Sequence, residues 1–318
     1  MGESIFKMPL EMIKTFYKNS GDRGSLKYKK GYLKFLKKYD LDKDCVLAAL
    51  FYDIHDLYDE SLFSEEVSQL IHGLRSFNEL AVRASKRNNE EKTRKMLIAT
   101  TSDLRILVIK LLERLYLMKN LDSTASEERV RMSKDTLNVY APISYRLGLS
   151  DVKWELEDLS FKYLMPSEYN TIKENVGISR EEREKIVKEL KGKLRRALKK
   201  DKVNAEIFGR PKHFYSIYRK MIEKGKKFED IHDIIGLRVI VENSEDCYSV
   251  LGVVNRLWDT ILARLKDFIV APKDNLYQSL HTGFLYGNIP VEIQIMTRRM
   301  NEIAEEGIAA HWKYKGLI

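Results

Sequence analysis

Along the first half of the chain, apolar residues recur at helical spacing. The segments VLAALFYDIHDLY (46–58), MLIATTSDLRILVIKLLERLYLM (96–118) and VKWELEDLSFKYL (152–164) carry heptad-like apolar positions, the signature of helices that bury one face against one another. Residues from about 10 to 165 are therefore predicted to be all-α. Polar breaks at KNSGDRGS (18–25), SKRNNEE (85–91) and NLDSTASEE (120–128) mark the connections. Pro166 closes this region, and EEREKIVKELKGKLRRALKK (181–200) reads as a single, highly charged helix.

The pattern changes after about residue 203. IIGLRVIV (234–241), LHTGFLY (280–286) and VEIQIMT (291–297) are β-branched or alternating, which predicts strands. Helical patterns lie between and after them, at 213–224, 245–257 and 299–313, packed on a sheet of about five strands. In VEIQIMT the alternation places Glu292, Gln294 and Met296 on one face and Val291, Ile293 and Ile295 on the other. The resulting division is a helical domain over 1–165, a helical linker over 166–202 and a mixed domain over 203–318, α+β overall.

Composition narrows the class. A chain of 318 residues with 44% hydrophobic and 32% charged residues describes a soluble protein with room for two cores. The most apolar stretch, 104–118, is interrupted by Arg105, Lys110, Glu113 and Arg114, so it predicts a core helix and no membrane span. The N-terminus MGESIFKMPL lacks a basic segment followed by an apolar run, and Phe6 stands where a myristoylation signal needs Ser or Thr. A cytoplasmic location is expected. Cys45 and Cys247 are the two cysteines, too few and too isolated for a disulfide framework or a zinc site. The net charge of +9 favours anionic partners such as nucleotides or RNA, and equally serves solubility.

No phosphate-binding Gly-x4-Gly-Lys-Ser/Thr loop, Gly-x-Gly-x-x-Gly turn or His-Glu-x-x-His helix occurs. Three other groups of residues could carry chemistry. GRPKHFYSIYRK (209–220) gathers Arg210, Lys212, Ser216, Arg219 and Lys220 behind Gly209, expected to free the backbone, and Pro211. Ser216 and Lys220 lie one helical turn apart and suit a polyphosphate, although a solvated basic helix start has the same composition. Asp233, at the head of one strand, and Glu292, within another, offer two hard oxygen donors for Mg2+, while exposed carboxylates on a sheet are also commonplace. APKDNLYQSLHT (271–282) brings Lys273, Asn275, Tyr277, Gln278, Ser279 and His281 into one loop running into a strand, where a tyrosine could stack on a base or simply fill the core.

Taken together and in order, EIFGRPKHFYSIYRKM, DIIGLRVIV, DCYSVLGVVNRLW, RLKDFIVAPKDNLYQSLHT and PVEIQIMTRRMNEIAEEGIAAHWKYK resemble the synthetase domain of the RelA/SpoT family of (p)ppGpp synthetases and hydrolases. RMSKDTLNVYAPISYRLGLSDVKWELEDLSFKYLMPSEY is similar to the family's link between hydrolase and synthetase domains. The resemblance implies a fold related to the polymerase-β type nucleotidyltransferases and transfer of pyrophosphate from ATP to the 3′-hydroxyl of GDP or GTP. It further implies that Arg210, Lys212, Ser216 and Lys220 hold ATP phosphates, that Arg238 faces the adenine, and that Asp233 and Glu292 bind Mg2+, with Glu292 also helping to deprotonate the attacking hydroxyl. Tyr277 would stack on the acceptor guanine, with Lys273, Asn275, His281 and Gln294 around it. Two positions depart from the family pattern: Leu276 replaces a glycine, and Met296 replaces an arginine that would share the ligand-facing side of its strand. RLKD (264–267) is similar to the basic form of bifunctional members.

The first half resembles the family's HD-type hydrolase domain with its metal ligands changed. Tyr28 falls near the first ligand histidine, Tyr52 replaces the paired histidine before the retained Asp53, Asp56 and Leu57 stand for a Glu-Asp pair, and Glu113 stands at the later aspartate. Phenols are poor substitutes for imidazole around such a metal, so no hydrolase activity is expected. Two other readings stay open: a pyrophosphokinase acting on the 3′ end of tRNA, and an inactive guanine-nucleotide-binding regulator. Oligomeric state is not specified by the sequence.

Overall fold

The computed structural model describes residues 8–15, 17, 23–39, 41–54, 63–85, 89–273 and 277–306. Its backbone divides into two compact units, Met1–Pro166 and Ser167–Ile318. No helix among the described residues is long and apolar enough to cross a membrane.

The first unit is helical: α1 (Arg23–Leu36), α2 (Lys43–Phe51), α3 (Glu65–Ser85), α4 (Glu90–Ala99), α5 (Leu104–Lys119), α6 (Ser126–Asp135), α7 (Ala141–Arg146) and α8 (Ser150–Leu164). Helix α2 buries every residue from Cys45 to Phe51, and α5 buries Ile106, Leu107, Ile109, Leu111, Leu112 and Leu115. Helices that bury residues on most of their circumference belong inside a bundle. The 96–118 pattern is not one helix. The hydroxyls of Thr100 and Thr101 donate back to the carbonyls of Met96 and Leu97 at 2.7 and 2.6 Å, competing with the helical ladder. Asp103 then starts α5 by accepting from the Arg105 amide. The 46–58 pattern likewise ends its helix at Phe51.

The second unit contains α9 (Pro166–Val176), α10 (Arg180–Lys200), β1 (Glu206–Pro211), α11 (Phe214–Lys224), β2 (Ile235–Val241), α12 (Ser244–Leu257), β3 (Lys266–Asp267), β4 (Leu280–Tyr286), β5 (Ile289–Thr297) and α13 (Arg298–Glu306). The five strands run in the order β1-β2-β5-β4-β3. Strands β2 and β5 are parallel, and the remaining pairs are antiparallel. Alternation divides the strands into two faces. Ile207, Ile235, Leu237, Val239, Leu280, Phe284, Val291, Ile293 and Ile295 form one core with Leu190, Leu194 and Leu198 of α10 and Val250 and Val254 of α12. The segment expected as a linker thus contributes α10 to the sheet's own core. A capping box between Ser179 and Glu182 starts that helix.

Gly209 was expected to free the backbone, but its role is close packing. A Cβ there would fall 2.4 Å from Leu237 Cδ2 and 3.1 Å from Val187 Cγ1, so glycine lets α10 approach β1. Gly225, in the left-handed region with φ of 59°, closes α11.

Candidate functional site

The sheet face away from α10 and α12 carries the polar residues. The strand pairings set Arg210, Gly236, Glu292 and Gly283 side by side across four strands. The adjacent row is Phe208, Arg238, Gln294, His281 and Lys266. Glu292 therefore has a glycine on each side, and a Cβ on Gly236 would meet no atom within 4 Å. That gap beside a carboxylate leaves room for a ligand to approach the backbone.

Asp233 stands three residues before Gly236. Its carboxylate is held by two ammonium groups, Lys212 Nζ at 2.5 Å from Oδ2 and Lys220 Nζ at 2.9 and 3.0 Å from the two oxygens. Burial by itself would raise the Asp233 pKa, but the lysine charges and hydrogen bonds outweigh it and hold the carboxyl below its usual range. Burial lowers the Lys212 pKa against the opposing pull of Asp233. Ser216 sits one turn before Lys220 on α11, partly exposed. Arg219 turns away and pairs with Glu223 at 2.6 Å on the exposed side.

A second chain of contacts converges on Glu292. His281 Nδ1 lies 3.5 Å from its Oε1, and Gln294 Nε2 donates to Oε2 at 3.2 Å. Burial would raise the Glu292 pKa, yet the hydrogen bond and charge of His281 bring it below the usual value while negative Asp233 opposes them. The other ring nitrogen of His281 is 2.9 Å from the Tyr277 hydroxyl. Lys273 Nζ lies over the Tyr277 ring, 4.8 Å from its centre, and over Phe268 at 4.5 Å. Arg238 NH1 donates to Asn301 Oδ1 at 2.7 Å.

Of the expected site residues, Arg210, Arg238, His281, Glu292 and Gln294 lie on the strands of this face, Lys212, Asp233, Lys273 and Tyr277 in connecting segments, and Ser216 and Lys220 on α11. Asn275 and Leu276 lie outside the described residues. Met296 does not line an open site: it is 0% exposed, beside its register partner Ile240, also in the core, where that side of the sheet becomes apolar next to α13. Two residues not singled out as ligands belong here. Phe268 packs edge-on against His281 with centroids 5.3 Å apart. Arg264 lies along Gly283, with its Cδ 3.1 Å from where a Cβ would sit, and places NH2 3.0 Å from His232 Nδ1. Its buried NH1 has no hydrogen-bond partner among the described residues. The RLKDF run was the available signal for both.

Two carboxylates in this setting fit Mg2+, which takes few protein ligands and completes its shell with water and phosphate oxygens. Among the described residues no group of three or more His, Cys, Asp or Glu could hold a metal ion.

In the first unit, the residues expected at hydrolase metal-ligand positions are engaged with neighbouring side chains. The Tyr52 hydroxyl donates to Glu113 Oε1 at 2.5 Å, Lys110 Nζ donates to the Tyr52 hydroxyl at 2.9 Å and pairs with Glu113, and Lys29 Nζ lies 2.5 Å from Asp53 Oδ1. Tyr28 packs edge-on against Tyr116 with centroids 5.2 Å apart. Burial, followed by the Glu113 charge, raises the Tyr28 and Tyr52 pKa values well above the ordinary phenol range. Two neutral phenols in place of imidazoles do not fit the metal centre expected of an HD-type hydrolase. Asp56 lies outside the described residues.

A family model described as "Region found in RelA / SpoT proteins" matches residues 209–317, and an HD domain model matches 14–150. A GTP pyrophosphokinase of Myxococcus xanthus is 40% identical over 294 residues, covering 88% of this chain and 38% of that protein. The bifunctional (p)ppGpp synthase/hydrolase SpoT of Escherichia coli K12 is 39% identical over 287 residues, covering 88% and 41%. Among solved structures, the small alarmone synthetase 1 of Bacillus subtilis bound to its product pppGpp matches with 27% identity and a TM-score of 0.35, over 43% of this chain and 79% of that one. The chain spans well under half the length of the two full-length relatives, 38% and 41%.

Proposed function

The chain belongs to the RelA/SpoT family, and we propose that its second unit synthesises (p)ppGpp by moving the β,γ-pyrophosphate of ATP onto the 3′-hydroxyl of GDP or GTP. The observation that carries this reading is the meeting of Lys212, Lys220 and Asp233 with Glu292, beside the gap at Gly236, on a face that also presents Tyr277 and His281.

In this reading Arg210, Lys212, Ser216 and Lys220 bind the ATP phosphates, and Arg238 lies on the adenine side. Tyr277 stacks on the acceptor guanine, while Lys273, Asn275, His281 and Gln294 surround the rest of the acceptor. Asp233 and Glu292 would hold Mg2+, which supplies charge neutralisation on the phosphates. The 3′-oxygen attacks the β-phosphorus, the bond from that phosphorus to the α–β bridging oxygen breaks, and AMP departs carrying that oxygen. Glu292 accepts the hydroxyl proton, with His281 and Gln294 holding its carboxylate in place. Such transfer depends on positioning and charge stabilisation more than on covalent help, and the cationic loop together with the paired carboxylates supports both. The first unit is proposed not to hydrolyse the product, on the strength of the closed Tyr52–Glu113–Lys110 and Lys29–Asp53 contacts.

The test is incubation with labelled ATP and Mg2+ and, in parallel, GDP, GTP and deacylated tRNA. Transfer to GDP or GTP, lost in Glu292→Gln and retained in Tyr52→His, is expected. Transfer to tRNA alone would sink the proposal, and transfer to no acceptor would favour a guanine-nucleotide-binding regulator. Release of pyrophosphate from pppGpp by the wild type with Mn2+ would overturn the second part.

A further inference from the structure

Arg183 is a buried cation on α10, 2% exposed, and lies on none of the strands or loops that carry the site. Its NH1 donates to the backbone carbonyl of Lys212 at 2.7 Å. Its Nε reaches the carbonyl of Ser179 at 3.4 Å, and the guanidinium lies over the Phe214 ring, 4.5 Å from its centre. Tyr169 of α9 supports that ring edge-on, with centroids 5.5 Å apart. The Lys212 amide, at the other end of the residue, donates to the carbonyl of Ile234 at 2.8 Å.

We infer that Arg183 is a positioning residue for ATP phosphate binding: it fixes the backbone of Lys212, and so sets where the Lys212 ammonium and the start of α11 stand. This rests on the synthetase reading above. Lys212 links β1 to α11, and its main chain is tied on both sides, to Ile234 ahead of β2 and to Arg183 on α10. Only then can its side chain hold Nζ at 2.5 Å from Asp233 while Ser216 and Lys220 follow on the first turns of α11. Burying a guanidinium is costly, and an apolar side chain of similar volume is commonly as stable or more so. An arginine at this place is accounted for by geometry: its planar fork can stack on Phe214 and donate to Lys212 at once, which a lysine cannot reproduce in full.

Stability and ligand binding should therefore separate. Arg183→Met is expected to keep the melting temperature within a few degrees of the wild type, to speed hydrogen exchange of amides 212–215 without any nucleotide, and to weaken binding of a non-hydrolysable ATP analogue about tenfold. KM for GDP or GTP should be unchanged. Arg183→Lys, which keeps a donor but not the stacked fork, should fall between, at about threefold. Unchanged exchange at 212–215, or a loss shared equally by ATP analogue, acceptor and melting temperature, would overturn the inference. If Arg183→Met does not fold, Arg183→Lys decides: unchanged exchange and analogue binding reject it, faster exchange with weakened analogue binding upholds it. The exchange measurement needs neither substrate, so a wild type that binds ATP but makes no alarmone would refute the synthetase reading and leave this inference standing.

Discussion

Lys212 Nζ lies 2.5 Å from Asp233 Oδ2, joining the segment between β1 and α11 to the carboxylate ahead of β2. Removing the ammonium in Lys212→Met leaves Asp233 with Lys220, so the fold should lose little. Synthesis should fall on the order of 10²-fold, the usual cost of deleting one preorganised charge-stabilising donor. Initial rates of labelled product, set beside thermal melting of the same variant, check this; a rate within twofold of wild type would count against Lys212 as a phosphate ligand.

The same contact predicts a pH dependence of stability. The Asp233 pKa is lower in the fold than in the unfolded chain, so its contribution is fully present above the unfolded value of about 4 and is lost as pH falls through the folded value. Melting temperatures of the wild type and Asp233→Asn should differ at pH 6 and converge as the pH drops below about 4. A gap that stays constant over that range would contradict the assignment.

Gly236→Ala tests the gap beside Glu292. A methyl there meets no atom within 4 Å, and restricting the unfolded chain should leave stability equal or slightly higher. The methyl would nonetheless stand between Arg210 and Glu292 in the cross-strand row, so activity should fall on the order of 10²-fold. Full activity in a stable Gly236→Ala protein would show that no ligand uses this space.

At Tyr277 two substitutions separate stacking from hydrogen bonding. Tyr277→Ala should raise the acceptor KM by about 5- to 150-fold, the equivalent of losing roughly 1–3 kcal/mol of base stacking, with little change in the ATP KM. Tyr277→Phe keeps the ring and gives up the hydroxyl with its contact to His281, so its acceptor KM should stay within a few-fold. Equal effects of the two would argue that the hydroxyl, not the ring, binds the acceptor.

Leu194, fully buried between α10 and the sheet, tests whether α10 belongs to the second unit. Leu194→Ala should cost about 2–5 kcal/mol, read in the full protein as a lower denaturant midpoint of the fluorescence of Trp258, which stacks on Phe284 in the same core. No shift of that signal would mean that α10 is dispensable to the sheet.

The sequence by itself determined the local structure and the residue types of the site. Its periodicity placed a helix at 181–200, against Arg180–Lys200 in the fold, and its alternation put Glu292 and Gln294 on the face opposite Ile293 and Ile295, because both patterns are fixed by geometry within a few residues. Only the tertiary structure decided which residues meet. Arg210, Gly236, Glu292 and Gly283 come from four strands separated by up to 82 residues in number, and their alignment depends on strand pairings that no local pattern encodes. Burial is equally non-local: alternation assigned Met296 to the ligand side, and the fold buried it completely. The contact of Arg183 with Lys212 exists for the same reason, since a helix read as a linker packs on the sheet through Leu190, Leu194 and Leu198 and carries its arginine to the segment between β1 and α11.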